Sequence, residues 1–225
     1  MNPLLRNSSA HVFVDSIGLP VLSGDDMHHL SRVLRLRNGE TVTCSDGRGS
    51  WRTCTWTDGA VTADGEVHVE PAPARTLTVA VAPVKGDRTD LVVEKLVEIG
   101  IDSIVVLAPV ERSVVRWSAD KAGQVMDRYG RIVRAAAMQS RRVRMPTLSG
   151  PSPLADLLAA GAAVAEPGGG ADWDSVTTVV IGPEGGFSSA EIAGAAARVD
   201  LGPGILRAET AAMVAAARMV AHWRR

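Results

Sequence analysis

Val179-Val180-Ile181-Gly182-Pro183-Glu184-Gly185-Gly186 carries a short apolar run straight into a glycine-rich turn. Leu201-Gly202-Pro203-Gly204-Ile205-Leu206-Arg207-Ala208-Glu209-Thr210-Ala211 repeats the arrangement shortly afterwards. Each turn is followed by a helix-like segment. Glycine lets backbone approach a ligand and supplies conformations closed to other residues. Two such turns in close succession predict neighbouring loops around one small molecule. The spacing is not G-x-G-x-x-G, because Pro183 interrupts it, and no G-x-x-x-x-G-K-[ST] occurs in the chain. A turn that follows a buried strand instead offers its amides and carbonyls to the crevice at the strand ends, where open α/β sheets bind ligands. The competing reading is a tight turn with no ligand.

Upstream of these turns, apolar β-branched runs alternate with helical periodicity. Strands are predicted at 76–82, 104–107, 162–165 and 177–181, and helices at 88–99, 118–139, 154–160 and 208–223. In the helix at 88–99, Val92, Val93, Leu96, Val97 and Ile99 form the buried side. Ser188 and Glu191 form a capping box opening a further helix, and Pro146 to Pro153 reads as a proline- and glycine-rich link. Continuous apolar strands separated by helices argue for an α/β domain with a buried parallel sheet. The last helix is rich in alanine, which fits either close approach by another backbone or ordinary helix propensity.

The first 70 or so residues have a different texture. Short runs at 11–14, 41–45, 51–57 and 66–70 are separated by Asn38-Gly39, Asp46-Gly47, Asp58-Gly59 and Asp64-Gly65, as strands joined by tight turns. A helix over 25–36 places Leu30, Val33 and Leu34 on one face. This predicts a small β-barrel or sandwich. Glu70-Pro71-Ala72-Pro73-Ala74-Arg75 is a stiff connector, giving domains at 1–72 and 73–225.

Composition narrows the function classes. The chain has 225 residues, 46% hydrophobic and 22% charged, as in a soluble globular protein. No run approaches a membrane span and the N-terminus lacks a secretory core, so a cytoplasmic protein is expected. Cys44 and Cys54 are too few for a disulfide scaffold, and no Cys/His cluster has metal-ligand spacing. Net charge is −1, but the basic residues are unevenly placed. All 24 except Lys85, Lys95 and Lys121 are arginine, and no Asp or Glu lies between Asp127 and Asp156. Arginine favours bidentate contact with phosphate and stacking on bases; the competing reading is a solvated helix face.

Taken together, Ile181–Gly186 and Leu201–Ala211 resemble the two C-terminal signatures of the SPOUT methyltransferases, and more narrowly the RsmE family, which methylates N3 of a uridine in small-subunit (16S) ribosomal RNA. His28-His29-Leu30-Ser31-Arg32-Val33-Leu34-Arg35-Leu36-Arg37 resembles its H-x-x-x-V-L-R-L element. Lys85 through Gly100 is similar to its first helix, Glu111-Arg112-Ser113 to its E-R-S motif, and Ala135–Pro146 to its A-x-E-Q-S-x-R-x-x-x-P segment. The resemblance covers nearly the whole chain in order. It implies a PUA-like β-barrel that helps hold RNA, then a C-terminal domain whose chain end threads a loop as a deep trefoil knot, with S-adenosylmethionine in the knot and a homodimer as the functional unit. Two positions depart from the family: Gly204 stands where arginine is usual and Met138 where glutamate is usual, with Arg141, Arg142, Arg144 and Arg207 as possible substitutes.

The cofactor contacts so implied are Ile181, Gly182, Pro183, Glu184, Gly185, Gly186, Leu201, Gly202, Ile205, Leu206, Thr210 and Ala211. Uridine N3 carries a proton and is a poor nucleophile until it is lost, so a general base or an anion-stabilising cation is needed. Arg112 and Arg207 are the candidate cations, and Glu184 and Glu209 the candidate bases. RNA contacts are expected from His28, Arg32, Arg35, Arg112, Arg116, Arg131, Arg134, Arg141 and Arg142. The alternatives are a SPOUT enzyme for another RNA position, an RNA-binding homologue with impaired catalysis, and a small-molecule enzyme.

Overall fold

The computed structural model describes residues 1–170 and 172–224. The chain forms two compact units: Met1–Pro73 with Arg134–Met145, and Ala74–Val133 with Pro146–Arg225.

The first unit contains α1 (Pro3–Asn7), β1 (Ala10–Phe13), α2 (Gly24–His28), β2 (Thr41–Ser45), β3 (Ser50–Thr57), β4 (Ala60–Ala63) and β5 (His68–Val69). Its sheet runs β1-β2-β3-β4, with β5 also on β3 and β1 parallel to β2. Asp58 and Gly59 both take positive φ (50° and 88°) in the β3–β4 connection, the twist a two-residue hairpin requires. Val12, Leu30, Val42, Cys44, Cys54 and Trp56 form the core, with Met138 packed against it. Cys44 and Cys54 are free and buried.

The helix expected over 25–36 differs from expectation. It is α-helical only to His28; His29–Val33 winds as a π-helix, whose i→i+5 bonding shifts the side-chain register. Leu30 is buried, but Val33 and Leu34 are 60% and 44% exposed. The single buried face predicted from the period is therefore broken after Leu30.

His11 ties this unit together. It is buried, with Nδ1 2.9 Å from Thr43 Oγ1 and Nε2 donating to the Arg142 carbonyl at 3.0 Å. Desolvation, partly opposed by that hydrogen bond and reinforced by the Arg141 charge, lowers its pKa from 6.5 to about 4. The unfolded chain therefore binds a proton that the fold does not between those values. Stability is full above pH 6.5 and declines as pH falls towards 4, by about 2 kcal/mol between pH 7 and pH 5. Urea unfolding at the two pH values checks this: His11→Gln should flatten the difference, and an equal loss in the variant would remove His11 as its cause.

The second unit comprises β6 (Thr78–Val81), α3 (Arg88–Ile99), β7 (Ser103–Leu107), α4 (Ala119–Gln139, which from Arg134 onward belongs to the first unit), β8 (Thr147–Ser152), α5 (Leu154–Ala159), β9 (Ala163–Ala165), β10 (Thr178–Ile181), β11 (Ala197–Val199) and α6 (Ala208–Trp223). The six strands run β11-β9-β10-β6-β7-β8, all neighbours parallel. Ala80, Val105, Val164 and Val180 face a core shared with Leu154 and Leu158 of α5. Alternation sends Val79, Val81 and Ile181 to the opposite face, and α6 packs there on β6, β10 and α3. Ala208, Ala212, Ala215, Ala216 and Met219 are the buried side of α6, so over most of its length small side chains allow close packing on the sheet and on α3.

Two expectations are corrected here. Pro146–Pro153, read as a link, contains β8; Gly150-Pro151 survives in it because β8 is an edge strand, with a register shift opposite Val105–Leu107. Ser188 and Glu191 do form the reciprocal capping box (Ser188 N to Glu191 Oε2 2.8 Å, Glu191 N to Ser188 Oγ 3.3 Å). Yet residues 189–194 make hydrogen-bonded turns instead of a helix, and the chain then extends into β11. Glu191 Oε1 also accepts from the Glu111 amide at 2.6 Å, so the cap serves to pin a loop.

Candidate active site

The carboxyl ends of β9, β10 and β11 open into a cavity of about 500 Å³. Its walls are 165–167 at the end of β9, 181–187 at the end of β10, and 200–202 and 204–208 after β11, with Ala211 of α6 and Arg112. Both glycine turns that stand out in the sequence therefore meet at one site. Ile181, Gly182, Pro183, Glu184, Gly185, Gly186, Leu201, Gly202, Ile205, Leu206 and Ala211 all line it. Thr210 is the exception, exposed and outside the lining, because it sits one position from Ala211 on the helix and so faces away.

The glycines leave room where side chains would fill it. A Cβ on Gly186, Gly202 or Gly204 would meet nothing within 4 Å. At Gly182 a Cβ would lie 3.0 Å from Phe187, and at Gly185 3.1 Å from Arg112 Cβ, so those positions hold the turn tightly against its neighbours. Asp200 fixes the third wall: its carboxylate accepts from Gly202 N at 2.8 Å and Gly168 N at 3.1 Å. These backbone hydrogen bonds, Gly202 first, hold its pKa below the usual carboxylate value.

Arg112 and Arg207 both line the cavity. Arg112 donates to the Gly185 carbonyl at 3.0 Å. Arg207 is the exposed N-cap of α6, and its guanidinium has no hydrogen-bond or ion-pair partner among the described residues. The candidate bases have a different setting. Arg88 reaches Glu184 Oε1 at 2.8 Å and Glu209 Oε1 at 3.4 Å, and Glu209 lies outside the lining. Both carboxylates are engaged by one guanidinium, an arrangement that suits holding α3, the glycine turn and α6 together better than accepting a substrate proton.

Residues 70–220 match the family described as the RNA methyltransferase domain, and residues 22–59 match the RNA methyltransferase PUA domain. The chain belongs to this RNA methyltransferase family. It is 32% identical to the ribosomal RNA small subunit methyltransferase E of Mycobacterium bovis, over 89% of this chain and 86% of that protein. Among solved structures it is similar to a Legionella pneumophila methyltransferase in complex with S-adenosylmethionine, with TM-score 0.81 and 26% identity over 94% of this chain and 97% of that one. It is also similar to the ribosomal RNA small subunit methyltransferase E of Neisseria gonorrhoeae bound to S-adenosylmethionine, with TM-score 0.79 and 27% identity over 95% and 98% of the two chains. These matches place the two units in an α/β methyltransferase fold with a PUA-like barrel.

The arginines singled out for RNA divide into two groups. His28, Arg32 and Arg35 are exposed on and beside the π-helical turn, and Arg131 is exposed on α4. Arg134 turns inward in the first unit, 2.8 Å from buried Asp26 and 5.7 Å from the Phe13 ring centroid. Arg141 donates to the Ser8 carbonyl at 2.9 Å and to Met138 at 3.2 Å, and burial lowers its pKa. Arg116 is exposed but donates to the carbonyls of Val110 and Glu111. The cluster in the sequence is thus not one basic face: Arg134 and Arg141 are structural ties. Arg144 likewise holds the Glu70 and Pro71 carbonyls, and Arg142 also lies in the first unit. Arg207 is the one suggested substitute for the missing arginine that lines the cavity.

Arg88, Glu166, Phe187 and Asp200 belong to the site or its support without having been singled out. Asp200 immediately before Leu201-Gly202 could have been read as an Asx-type turn former. Arg88 had no such signal beyond its place at a helix start.

Proposed function

We propose that the protein is an S-adenosylmethionine-dependent methyltransferase acting on N3 of a uridine in small-subunit ribosomal RNA in the cytoplasm. The observation that carries this reading is the cavity formed by the three loops after β9, β10 and β11. Its residues suit the cofactor's chemistry. Ala165, Ile181, Leu206 and Ala211 offer an apolar wall for an adenine ring, the glycines leave backbone polar groups accessible, and Glu166, Glu184 and Asp200 offer negative charge towards a cationic ligand. Bound there, S-adenosylmethionine supplies an electrophilic methyl group on a sulfonium.

The chain's own contribution is placement and charge. Loss of the N3 proton leaves an anion delocalised onto the uridine O2 and O4. Arg207 and Arg112 stabilise that charge, and the nucleobase enters from the open side, where Arg207 is exposed. A solvent water takes the proton in this reading, because Arg88 already holds both Glu184 and Glu209. Residues 1–72, with the segment Arg134–Met145 that folds with them, serve as the RNA-holding domain, and the rest of 73–225 as the catalytic one. His28, Arg32, Arg35 and Arg131 make phosphate contacts. The chain end is threaded as a trefoil knot, a reading supported by α6 packing on the central strands after the loop at 200–207, and two copies form the working dimer.

Isothermal titration of S-adenosylmethionine, with solution mass and a methylation assay on small-subunit ribosomal RNA, tests the proposal. The expected result is micromolar binding at one site per chain of a dimer and one methylated uridine, mapped to N3. Absence of cofactor binding would defeat the methyltransferase reading. Methylation at a base other than uridine would defeat the substrate assignment alone.

A further inference from the structure

The second unit contains another cavity, of about 340 Å³, which shares no lining residue with the first. It lies among the β6–α3 turn, the segment after Val110, and the first half of α4. Val84, Trp117, Lys121, Arg128, Tyr129 and Arg131 line it, and no lining residue is acidic. Tyr129 is buried, and its ring meets Trp117 at 62° with centroids 6.5 Å apart. Among the described residues no ring stacks parallel on half-exposed Trp117 and no guanidinium lies over it. Arg128 is committed to Asp90 at 2.8 Å. The Lys121 ammonium and the Arg131 guanidinium are exposed, with no hydrogen-bond or ion-pair partner among the described residues.

An available indole beside two uncompensated cations, without a carboxylate in the lining, has the chemistry of a nucleotide site. Base stacking on an aromatic ring tolerates any base, and the cations take the phosphate. One short segment also contributes to both cavities. Arg112 lines the first and Trp117 the second, and Arg116, between them, holds the Val110 and Glu111 carbonyls at 3.1 and 3.2 Å. A nucleotide seated on Trp117 therefore bears on the segment that carries Arg112.

We propose that this second cavity is an RNA subsite holding a nucleotide other than the one to be methylated, with Trp117 stacking on its base and Lys121 and Arg131 contacting its phosphate. The inference rests on the RNA methyltransferase reading above. Its test measures RNA and cofactor affinity separately, using small-subunit ribosomal RNA, S-adenosylmethionine and full-length wild type, Trp117→Ala, Trp117→Phe and Lys121→Gln/Arg131→Gln.

Trp117→Ala should weaken RNA binding by roughly 5- to 150-fold, with Trp117→Phe recovering most of it. The double variant should reduce the salt slope by about 1.4 to 1.8 log units per decade. Cofactor affinity and solution mass should stay at wild-type values in all three. Wild-type RNA affinity and slope in the variants would overturn the subsite while leaving the methyltransferase reading intact. A change in solution mass would overturn it in favour of a contact between copies of the chain. A wild-type protein that binds cofactor but no ribosomal RNA would overturn both.

Discussion

Arg207→Ala is expected to lower turnover on ribosomal RNA by roughly 10²-fold, with cofactor affinity unchanged. The magnitude is that of removing one positioned donor from a developing oxyanion, here the charge spread over the uridine O2 and O4. Arg207 is the cleaner of the two cavity arginines to remove. Its guanidinium holds no other group among the described residues, whereas Arg112 also supports the Gly185 carbonyl at 3.0 Å and packs against the space where a Gly185 side chain would be. Arg112→Ala should therefore lower both turnover and cofactor affinity.

The division between the two effects identifies the role. A residue that merely attracts phosphate would weaken RNA affinity and flatten the salt dependence by about 0.7 to 0.9 log units per decade, leaving turnover at saturating RNA unchanged. A charge-stabilising residue lowers turnover at saturation. Single-turnover methylation at saturating RNA distinguishes them, and wild-type rates for Arg207→Ala would exclude it from the chemistry. Gly204 bears on the same question. A Cβ there meets nothing within 4 Å, so the wall is open at Gly204, and among the described residues Arg207 and Arg112 are the arginines that line the cavity.

Much of this site was legible in the sequence because it depends on local rules. β2 has the expected bounds at Thr41–Ser45, and α3 and α6 span the expected 88–99 and 208–223, since two-residue alternation and 3.6-residue periodicity are written along the chain. Both glycine turns were legible for the same reason: each follows a buried apolar run directly. β8 was not, because Gly150 and Pro151 break a strand by propensity, and only the sheet order places them at an edge where that break is tolerated. Val33 and Leu34 were misplaced because a π-helical turn has no distinct sequence period.

The arginines show a different limit. Arg131 and Arg134 are three residues apart on one helix, yet the first is exposed and the second is bonded to Asp26 and the Phe13 carbonyl. Their partners are distant in sequence. Local charge density marks a basic segment but not which guanidinium groups the fold has already used.

Arg88 is the strongest case of a functional residue hidden in an ordinary helix start, and its removal should have the other large effect. Arg88 donates to the Lys85 carbonyl at 3.1 Å while bridging Glu184 of the first glycine turn and Glu209 of α6. It thus ties the start of α3 to two segments that line the cofactor cavity, the first glycine turn and α6. The Glu209 side chain is only 13% exposed, and its Oε2 is buried without a hydrogen-bond partner among the described residues. Arg88→Ala would leave that carboxylate poorly solvated and uncompensated. Losing one partner of a fully buried pair costs about 3–5 kcal/mol; with Arg88 and Glu184 about one-third exposed, solvent screening reduces the expected loss to about 1–3 kcal/mol.

Because Glu184 lines the cavity, cofactor affinity should fall about tenfold in parallel, while the residual bound enzyme turns over near the normal rate. Arg88 positions the walls without touching the reacting atoms, so the loss appears in cofactor affinity and stability. The double variant Arg88→Ala/Glu209→Gln separates the causes: removing the stranded charge should restore most of the stability but not the cofactor affinity, since Glu184 remains without its anchor. Equal recovery of both would show that the Glu184 contact contributes nothing to the cavity. Wild-type stability and affinity in Arg88→Ala alone would reduce the bridge to a surface ion pair.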